Sequence, residues 1–410
     1  MMFEAYFQWS QEHPLQDFSV GTDAYFMRLA LGEAEKGWFA ARPNPLVGCL
    51  LVDQSTKQVL SKGHHTLYGQ AHAEVQALNG LQAGESAGVT AYVTLEPCSH
   101  SGHTPPCADT LIQAGITRCV VAVSDPHPKV AGQGLQRLKE AGIEVCCFEE
   151  EHSKEAQALV DGAKALNLSF LWGCRNKRPY IALKTAQTLD AAIATRNGES
   201  QWVTSERSRA WVHKMRGGFD AILSTAETVL KDRSQLTVRT PLWNYAQDGG
   251  IPPKRVILDR HFRLAEVDFH PLFDTAEAET WLLVDADVLA DPAKQKAYTR
   301  LSDLEVNIKP LPFKGKALLP LLEWLFTWGI HALWVEAGGR LAASFHQQGL
   351  VNEYNVLIAP KLLGDPHQHI PAWHLHTEDP PSRMNQASVL HLQSVRPIGQ
   401  DVLLVLTPLA

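Results

Sequence analysis

The sequence predicts an α/β protein built from two domains, and three observations carry that expectation. Short apolar, strand-like runs alternate with helical stretches through both halves, the pattern of layered α/β architecture. The length of 410 residues suits about two or three domains at roughly 100–200 residues each. A charged break ending in proline, Cys174-Arg175-Asn176-Lys177-Arg178-Pro179, lies between the two alternating halves. The expected organisation is an N-terminal extension over 1–20, a first domain over 21–150, a helical linker over 151–178 and a second domain over 179–410.

In the first domain, Asp23 to Lys36 reads as a helix capped by Thr22 or Asp23. Val47 to Asp53 reads as a strand, Ala73 to Leu81 as a helix, Val89 to Leu95 as a strand and Cys107 to Ala114 as a helix. The strand Arg118 to Val123, the helix Leu135 to Ala141 and the strand Ile143 to Cys147 complete it, and Glu149 to Asn167 is polar and helical. In the second domain, Tyr180 to Thr185, Asp220 to Leu223, Arg255 to Leu258, Thr280 to Val284, Ala332 to Val335, Tyr354 to Ile358 and Val402 to Leu406 read as strands. Segment 240–253 is rich in Pro, Gly and polar residues and reads as an exposed loop.

Composition bounds the function. Hydrophobic residues at 45% and charged residues at 20% give each domain material for a core. A formal net charge of −7 without a basic stripe excludes general nucleic-acid binding. The most apolar stretch, Ala317 to Val335, is interrupted by Pro320, Glu323, Gly329 and His331, so a buried helix and a core strand are expected rather than a membrane span. The 7 cysteines are irregularly spaced, and the N-terminus lacks a basic and a long apolar region, so a cytoplasmic chain without a disulfide scaffold is expected. A homo-oligomer is compatible with all of this.

One constellation carries chemistry. His72-Ala73-Glu74, Pro97-Cys98 and Pro106-Cys107 occur in order. One imidazole and two thiolates leave the fourth tetrahedral position of a Zn2+ ion open, the arrangement of a catalytic site. Bound zinc lowers the pKa of water towards neutrality. Glu74, at a helix start, is placed to move a proton without being a ligand, as H-x-E and P-C motifs do in zinc deaminases. The bland reading is a structural zinc, or buried cysteines beside an unrelated histidine. Three spaced elements argue against it, and a structural site has no need of Glu74. Cys49, Cys119, Cys146, Cys147 and Cys174 read as small hydrophobes.

The full string TLEPCSHSGHTPPC, residues 94–107, separates the two cysteines by eight residues rather than two. It resembles the deaminases of the riboflavin pathway. Pro43-Asn44-Pro45-Leu46-Val47-Gly48-Cys49, the run Gly63 to Glu74 and Asp125-Pro126-His127-Pro128 resemble the same family. The resemblance implies substrate contacts at Asn44, His65, His100, His103 and Asp125. His103 and His127 depart from the family's usual residues.

The second half is weaker taken alone. Val335 to Leu341 is a strand running into Gly338-Gly339 and a helix, a seat for phosphate that lacks the G-x-G-x-x-G fingerprint. Its bland reading is a tight strand–helix turn. Arg178 to Lys184, Gly198 to Thr204, Thr228-Val229-Leu230, Leu236 to Arg239 and Ala359 to Gly364 resemble the riboflavin-pathway reductase. Altogether the resemblance spans about residues 21–410. It implies a cytidine-deaminase-like α/β/α domain followed by a dihydrofolate-reductase-like α/β domain. The implied activity is deamination of a phosphorylated diamino-ribosylamino-pyrimidinone, then NADPH-dependent reduction of its ribosyl group.

By position, Lys184 falls on a catalytic site, and Ser200, Arg216, Leu236, Arg239 and Glu336 on substrate sites. Ala186, Trp202, Thr228, Asp232 and the turn Gly338, Gly339, Arg340, Leu341, Ala342, Ala343 and Ser344 fall on NADPH sites. Arg216 and Arg239 suit bidentate phosphate binding; their bland reading is solvated surface arginine. Three departures stand out: Ala191 replaces the glycine of S-L-D-G, Arg233 the acidic or amide residue after Asp232, and Arg260 a serine. Three alternatives therefore stay open: a deaminase with a degenerate reductase domain, a deaminase acting on other nucleosides, and a non-catalytic assembly protein with a structural zinc.

Overall fold

The computed structural model describes residues 4–81, 88–99, 105–126, 132–312, 315–364, 369–373 and 383–409. The chain forms two compact units, Met2–Asn176 with Ala246–Ile251, and Lys177–Tyr245 with Pro252–Ala410.

The first unit holds β1 (Gly48–Asp53), β2 (Val59–His64), β3 (Val89–Val93), β4 (Arg118–Val121) and β5 (Glu144–Cys147) in the order β2-β1-β3-β4-β5. β1 is antiparallel to β2 and β3, and β3, β4 and β5 are parallel. Every residue of β3 is buried, so its continuous apolar run is what a central strand requires. Helix Asp23–Ala34 starts where Thr22 accepts the N–H of Tyr25. β2 escapes sequence pattern because VLSKGH is largely exposed. Its Gly63 nevertheless matters: a Cβ there would lie 2.5 Å from the carbonyl of Ala73. Glycine thus lets helix Ala73–Asn79, which opens the metal motif, lie directly on the strand.

The boundaries differ from the sequence expectation. The stretch read as a linker forms helices Lys154–Leu166 and Leu168–Asn176 within the first unit. The stretch read as an extension forms helix Glu4–Glu12. Trp9 lies against Gly162 and donates its indole N–H to the carbonyl of Ala158 at 2.7 Å. Asn167, buried between the two helices, accepts from Leu46 N at 2.7 Å and donates to Leu46 O at 2.8 Å. These contacts span more than a hundred residues of sequence, where local pattern carries no signal. The expected loop 240–253 contains a short helix, Tyr245–Asp248, and Gly250 sits against Ala40 of the first unit.

The second unit holds β6 (Tyr180–Thr188), β7 (Ala192–Thr195), β8 (Ala221–Thr225), β9 (Lys254–Leu258), β10 (Thr280–Val284), β11 (Asn307–Pro310), β12 (Ala332–Glu336), β13 (Glu353–Ala359), β14 (His369–Pro371), β15 (Leu390–Ile398) and β16 (Asp401–Pro408). Nine strands form one sheet in the order β11-β10-β9-β8-β12-β6-β13-β16-β15, and β7 pairs with β14 apart from it. The strands from β11 to β13 are parallel, and β16 and β15 run antiparallel. Helix Leu319–Thr327 ends before Gly329, at φ 77°, and β12 follows, so the apolar stretch is a core helix and strand. Among the described residues no helix is long and apolar enough to cross a membrane.

Asn167 tests whether the two helices belong to the first unit. Asn167→Ala is expected to destabilise that unit by about 2–4 kcal/mol, because two buried backbone groups lose partners worth about 1–3 kcal/mol each. Urea unfolding of the two proteins measures it, and a detached linker would leave the midpoint unchanged.

Candidate functional site: a metal centre and a second catalytic cleft

The ends of two helices build the metal cluster. His72 is the N-cap of helix Ala73–Asn79, and Cys107 is the first residue of helix Cys107–Gln113. Cys98 follows β3 on the loop after Pro97. Nδ1 of His72 lies 3.7 Å from Sγ of Cys98 and 3.3 Å from Sγ of Cys107. The three donor atoms all lie within 4.8 Å of one another. One soft imidazole and two soft thiolates at that separation fit Zn2+. The Cys107 thiol, His72 and the Cys107 N–H at 3.3 Å draw Cys98 down to about 4, so it is ready to ligate as thiolate. Glu74 is only 3% exposed. Burial and the Cys98 charge push its carboxyl up to about 7.

Around the cluster, Asn44 donates its amide to Nε2 of His65 at 3.0 Å, and Nδ1 of His65 faces the carbonyl of Ala71 at 3.3 Å. Burial pulls His65 down to about 4. The imidazole is therefore neutral, donating through Nδ1 and accepting through Nε2. Asp125 is buried, and its backbone is held by Glu96, whose carboxylate also accepts from Gly132, Gly134 and Leu135. Glu96 went unremarked in the sequence, where it reads only as part of TLEPC. His100, His103 and His127 lie outside the described residues. Of the remaining cysteines, Cys49, Cys119 and Cys147 are buried as expected of small hydrophobes, while Cys146 is half-buried and donates to Glu151 at 3.0 Å.

In the second unit the expected residues gather at the carboxyl ends of parallel strands, where open α/β sheets bind ligands. Lys184 on β6 is the register partner of Glu336 at the end of β12. Glu336 receives Nε and Nη2 of Arg216 at 2.6 and 3.0 Å and the indole N–H of Trp334 at 2.7 Å. Nζ of Lys184 lies 3.7 Å away. Although burial alone would raise it, Arg216 and Lys184 hold the Glu336 carboxyl well below the usual carboxylate range. The fork of Arg216 is thus filled by a carboxylate, not left open for phosphate as the sequence suggested. Its remaining amine donates to the carbonyl of Thr237 at 2.9 Å.

Ser200 donates to Asp232 at 2.8 Å, and Gly338 donates its N–H to Thr228 at 3.3 Å. Gly338 is the N-cap of the nine-residue helix Gly339–Gln347, whose first N–H groups suit a diphosphate. Arg340 is exposed, and Leu341 and Ser344 are half-buried. Ala342 and Ala343 are core residues, so only their backbone is offered to a ligand. Trp202 is 61% exposed, stacks under Arg209 at 4.3 Å and accepts Nζ of Lys361 at its carbonyl. Ala186 packs against the small cluster of Leu357 and Leu403. Leu236 is buried at φ 51°. Sequence reasoning missed His213, which stands between Arg216 and Arg239, and a lone histidine on a helix gave no signal for it.

The three departures have visible settings. Ala191 sits at φ 61°, the left-handed conformation that glycine adopts freely. Arg233 is exposed and forms the left-handed cap of helix Ala226–Asp232. Arg260 lies 3.8 Å from Asp285 and donates to the carbonyl of Gly315.

Together the two units define a zinc-dependent deaminase joined to a reductase. Residues 20–123 match the family described as cytidine and deoxycytidylate deaminase zinc-binding region, and residues 179–404 the RibD C-terminal domain. Riboflavin biosynthesis protein RibD of Escherichia coli is 39% identical over 394 residues, covering 93% of this chain and 98% of that protein. The Aquifex aeolicus protein of the same name is 39% identical, covering 84% and 88%. The structure of Acinetobacter baumannii RibD superposes with a TM-score of 0.81 at 36% identity, covering 96% of this chain and 100% of that one. The structure of a Thermotoga maritima diaminohydroxyphosphoribosylaminopyrimidine deaminase/5-amino-6-(5-phosphoribosylamino)uracil reductase gives 0.77 at 29% identity and covers 94% and 99%. The chain belongs to the RibD family of riboflavin biosynthesis proteins. It is an enzyme with a deaminase and a reductase domain, using zinc and NADPH respectively.

Charge compensation at Glu336 is directly testable. A depressed folded-state pKa contributes stability that is full above the unfolded carboxylate value and lost as the pH falls through the lower folded value. Arg216→Met strands the carboxylate and is expected to cost about 3–5 kcal/mol at neutral pH. With its main cation gone, Glu336 is raised instead, so the deficit shrinks as the pH falls and the carboxyl takes up a proton. Thermal melts of both proteins between pH 7 and pH 4 read this, and a deficit independent of pH would contradict the pairing.

Proposed function

We propose that the first unit deaminates 2,5-diamino-6-ribosylamino-4(3H)-pyrimidinone 5′-phosphate and that the second reduces the ribosyl group of the product to ribityl. The observation that carries this reading is Glu74, buried within the His72–Cys98–Cys107 cluster and pushed up to about 7. The likeness to the Thermotoga maritima diaminohydroxyphosphoribosylaminopyrimidine deaminase supports the same choice of substrate. The free cysteines suit the reducing cytoplasm.

Zinc held by His72, Cys98 and Cys107 would supply a Lewis acid that brings the pKa of water towards neutrality. Glu74 takes a proton from that water and returns it to the departing amine, a task for which a carboxyl poised near neutral pH is matched. Asn44, oriented by the neutral His65, reads the base, and Asp125, His65, His100 and His103 complete the pocket. In the second unit, Lys184 and Glu336 face the sugar, with Ser200, Leu236, Arg216 and Arg239 around the substrate and Arg239 as its phosphate contact. Ala186, Trp202, Thr228, Asp232 and the backbone of residues 338–344 hold NADPH, which would supply the hydride. The residues' task is to set the nicotinamide against the sugar C1 and to keep water away.

Zinc analysis paired with turnover tests the reading. Glu74→Gln is expected to keep about one zinc per chain while deamination falls about 10²–10⁴-fold. Cys107→Ser should lose the metal as well. Reduction of the deaminated intermediate, assayed separately, should stay near wild type in both. Full deamination by Glu74→Gln with zinc retained would remove Glu74 from the proton path.

A further inference from the structure

The phosphate contact of the reductase depends on a residue that the family resemblance left unassigned. Helix Glu206–Arg216 carries His213 and Arg216 one turn apart, so both side chains emerge on the same side. Nδ1 of His213 is 3.0 Å from the carbonyl of Thr237, which also receives Nη1 of Arg216 at 2.9 Å. Nε2 of His213 is 3.2 Å from Nη2 of Arg239, and the backbone N–H of Arg239 lies 3.2 Å from Nδ1. The tautomer protonated at Nδ1 satisfies both ring nitrogens: Nδ1 donates to Thr237, and Nε2 accepts from Arg239.

The two arginines are not equivalent. Arg216 spends its fork on the buried Glu336. Arg239 is exposed, and its guanidinium meets Thr237, Gln235 and His213. Gln235, Thr237 and Arg239 all belong to one extended segment, so His213 is the contact that ties the Arg239 guanidinium to a helix. An imidazole can accept from a guanidinium only while neutral. Burial first, then Arg216 and Arg239, push His213 down to about 4, against the opposing pull of Glu336. The ring is an acceptor throughout the neutral range.

We propose that His213 is a positioning residue of the reductase, aiming the guanidinium of Arg239 at the 5′-phosphate of the substrate. The proposal rests on the reading of Arg239 as the phosphate contact. It makes a sharp division of labour. Arg216 serves the charge balance of Glu336, while Arg239, held by His213, serves affinity for the phosphate.

Steady-state kinetics of the zinc-loaded full chain on the deaminated intermediate tests it, with inorganic phosphate as a competing probe. His213→Ala is expected to raise the KM for the intermediate and the inhibition constant of phosphate on the order of tenfold, as for one charge-assisted hydrogen bond. The kcat, the KM for NADPH and the deaminase activity should be unchanged. His213→Gln, which keeps an acceptor and a donor, should recover part of the loss. Arg239→Ala is the control that separates the two claims. If Arg239→Ala weakens phosphate and His213→Ala does not, His213 has no positioning role. If neither variant moves the phosphate constant, the phosphate assignment of Arg239 falls and the proposal falls with it. A parallel drop in kcat, NADPH affinity and melting temperature, without rescue by His213→Gln, would make His213 a scaffold residue and overturn the proposal.

Discussion

A carboxylate taken out of water must be met by a cation or by a proton. Both chemistries of this chain depend on which of the two meets it. Glu74 enters the first unit among thiols and one imidazole, and burial together with the Cys98 charge leaves it near neutrality, able to hold or release a proton. Glu336 enters the second unit opposite Arg216 and Lys184 and is fixed as an anion. The residue type is the same, and the difference lies in the neighbours. A proton carrier suits hydrolysis of an amine, and a permanent anion suits the orientation of Lys184.

The ionised Glu336 organises more than its own pair. Its two oxygens take both prongs of Arg216, which turns the remaining amine of that arginine onto the carbonyl of Thr237. That carbonyl also faces His213, and the segment continues two residues later to Arg239. Charge compensation in the interior therefore fixes the backbone that presents the outer arginine. In the first unit the corresponding support comes from polar side chains acting on backbone. Glu96 gathers four N–H groups around the Asp125 loop, and Asn167 grips both backbone groups of Leu46, two residues from Asn44.

The metal residues were legible in the sequence because their chemistry is tied to local punctuation: His72 at a helix cap, each cysteine after a proline, Glu74 in the first helical turn. Central strands such as VTAYV were legible because both faces are buried. The edge strand LHLQSVRPI was not, since its polar and half-exposed residues give no clear alternation. The short β7, β11 and β14 were missed for similar reasons of length and exposure. The docking of Trp9 on the helix around Gly162 lies about 150 residues away in the chain, beyond the range of any local pattern. The role of Arg216 was misjudged because a guanidinium suits a carboxylate as well as it suits a phosphate, and only the fold decides between them.

The same distinction between backbone and side chain settles how the second unit accommodates its departures. Ala191 keeps the left-handed conformation at a cost of roughly 1–2 kcal/mol, so the change from glycine strains the turn without altering its shape. The turn is held from outside: Asp190 accepts from the hydroxyl of Thr188 and from the N–H groups of Leu363 and Gly364, and the N–H of Leu189 donates to Lys361. These bonds draw the Asp190 carboxyl down to about 2, so it remains an acceptor through the neutral range. Lys361, on the same restraining segment, reaches the carbonyl of Trp202. Arg233 contributes a cap and an exposed side chain, and Arg260 turns to Asp285 and Gly315. None of the three substitutions enters the cluster of Lys184, Arg216 and Glu336. A decayed reductase would be expected to lose that buried charge balance first, because an unpaired Glu336 carries a large penalty and nothing but function requires the charge there. Its retention, complete with the Trp334 hydrogen bond, argues that the second unit is built to react.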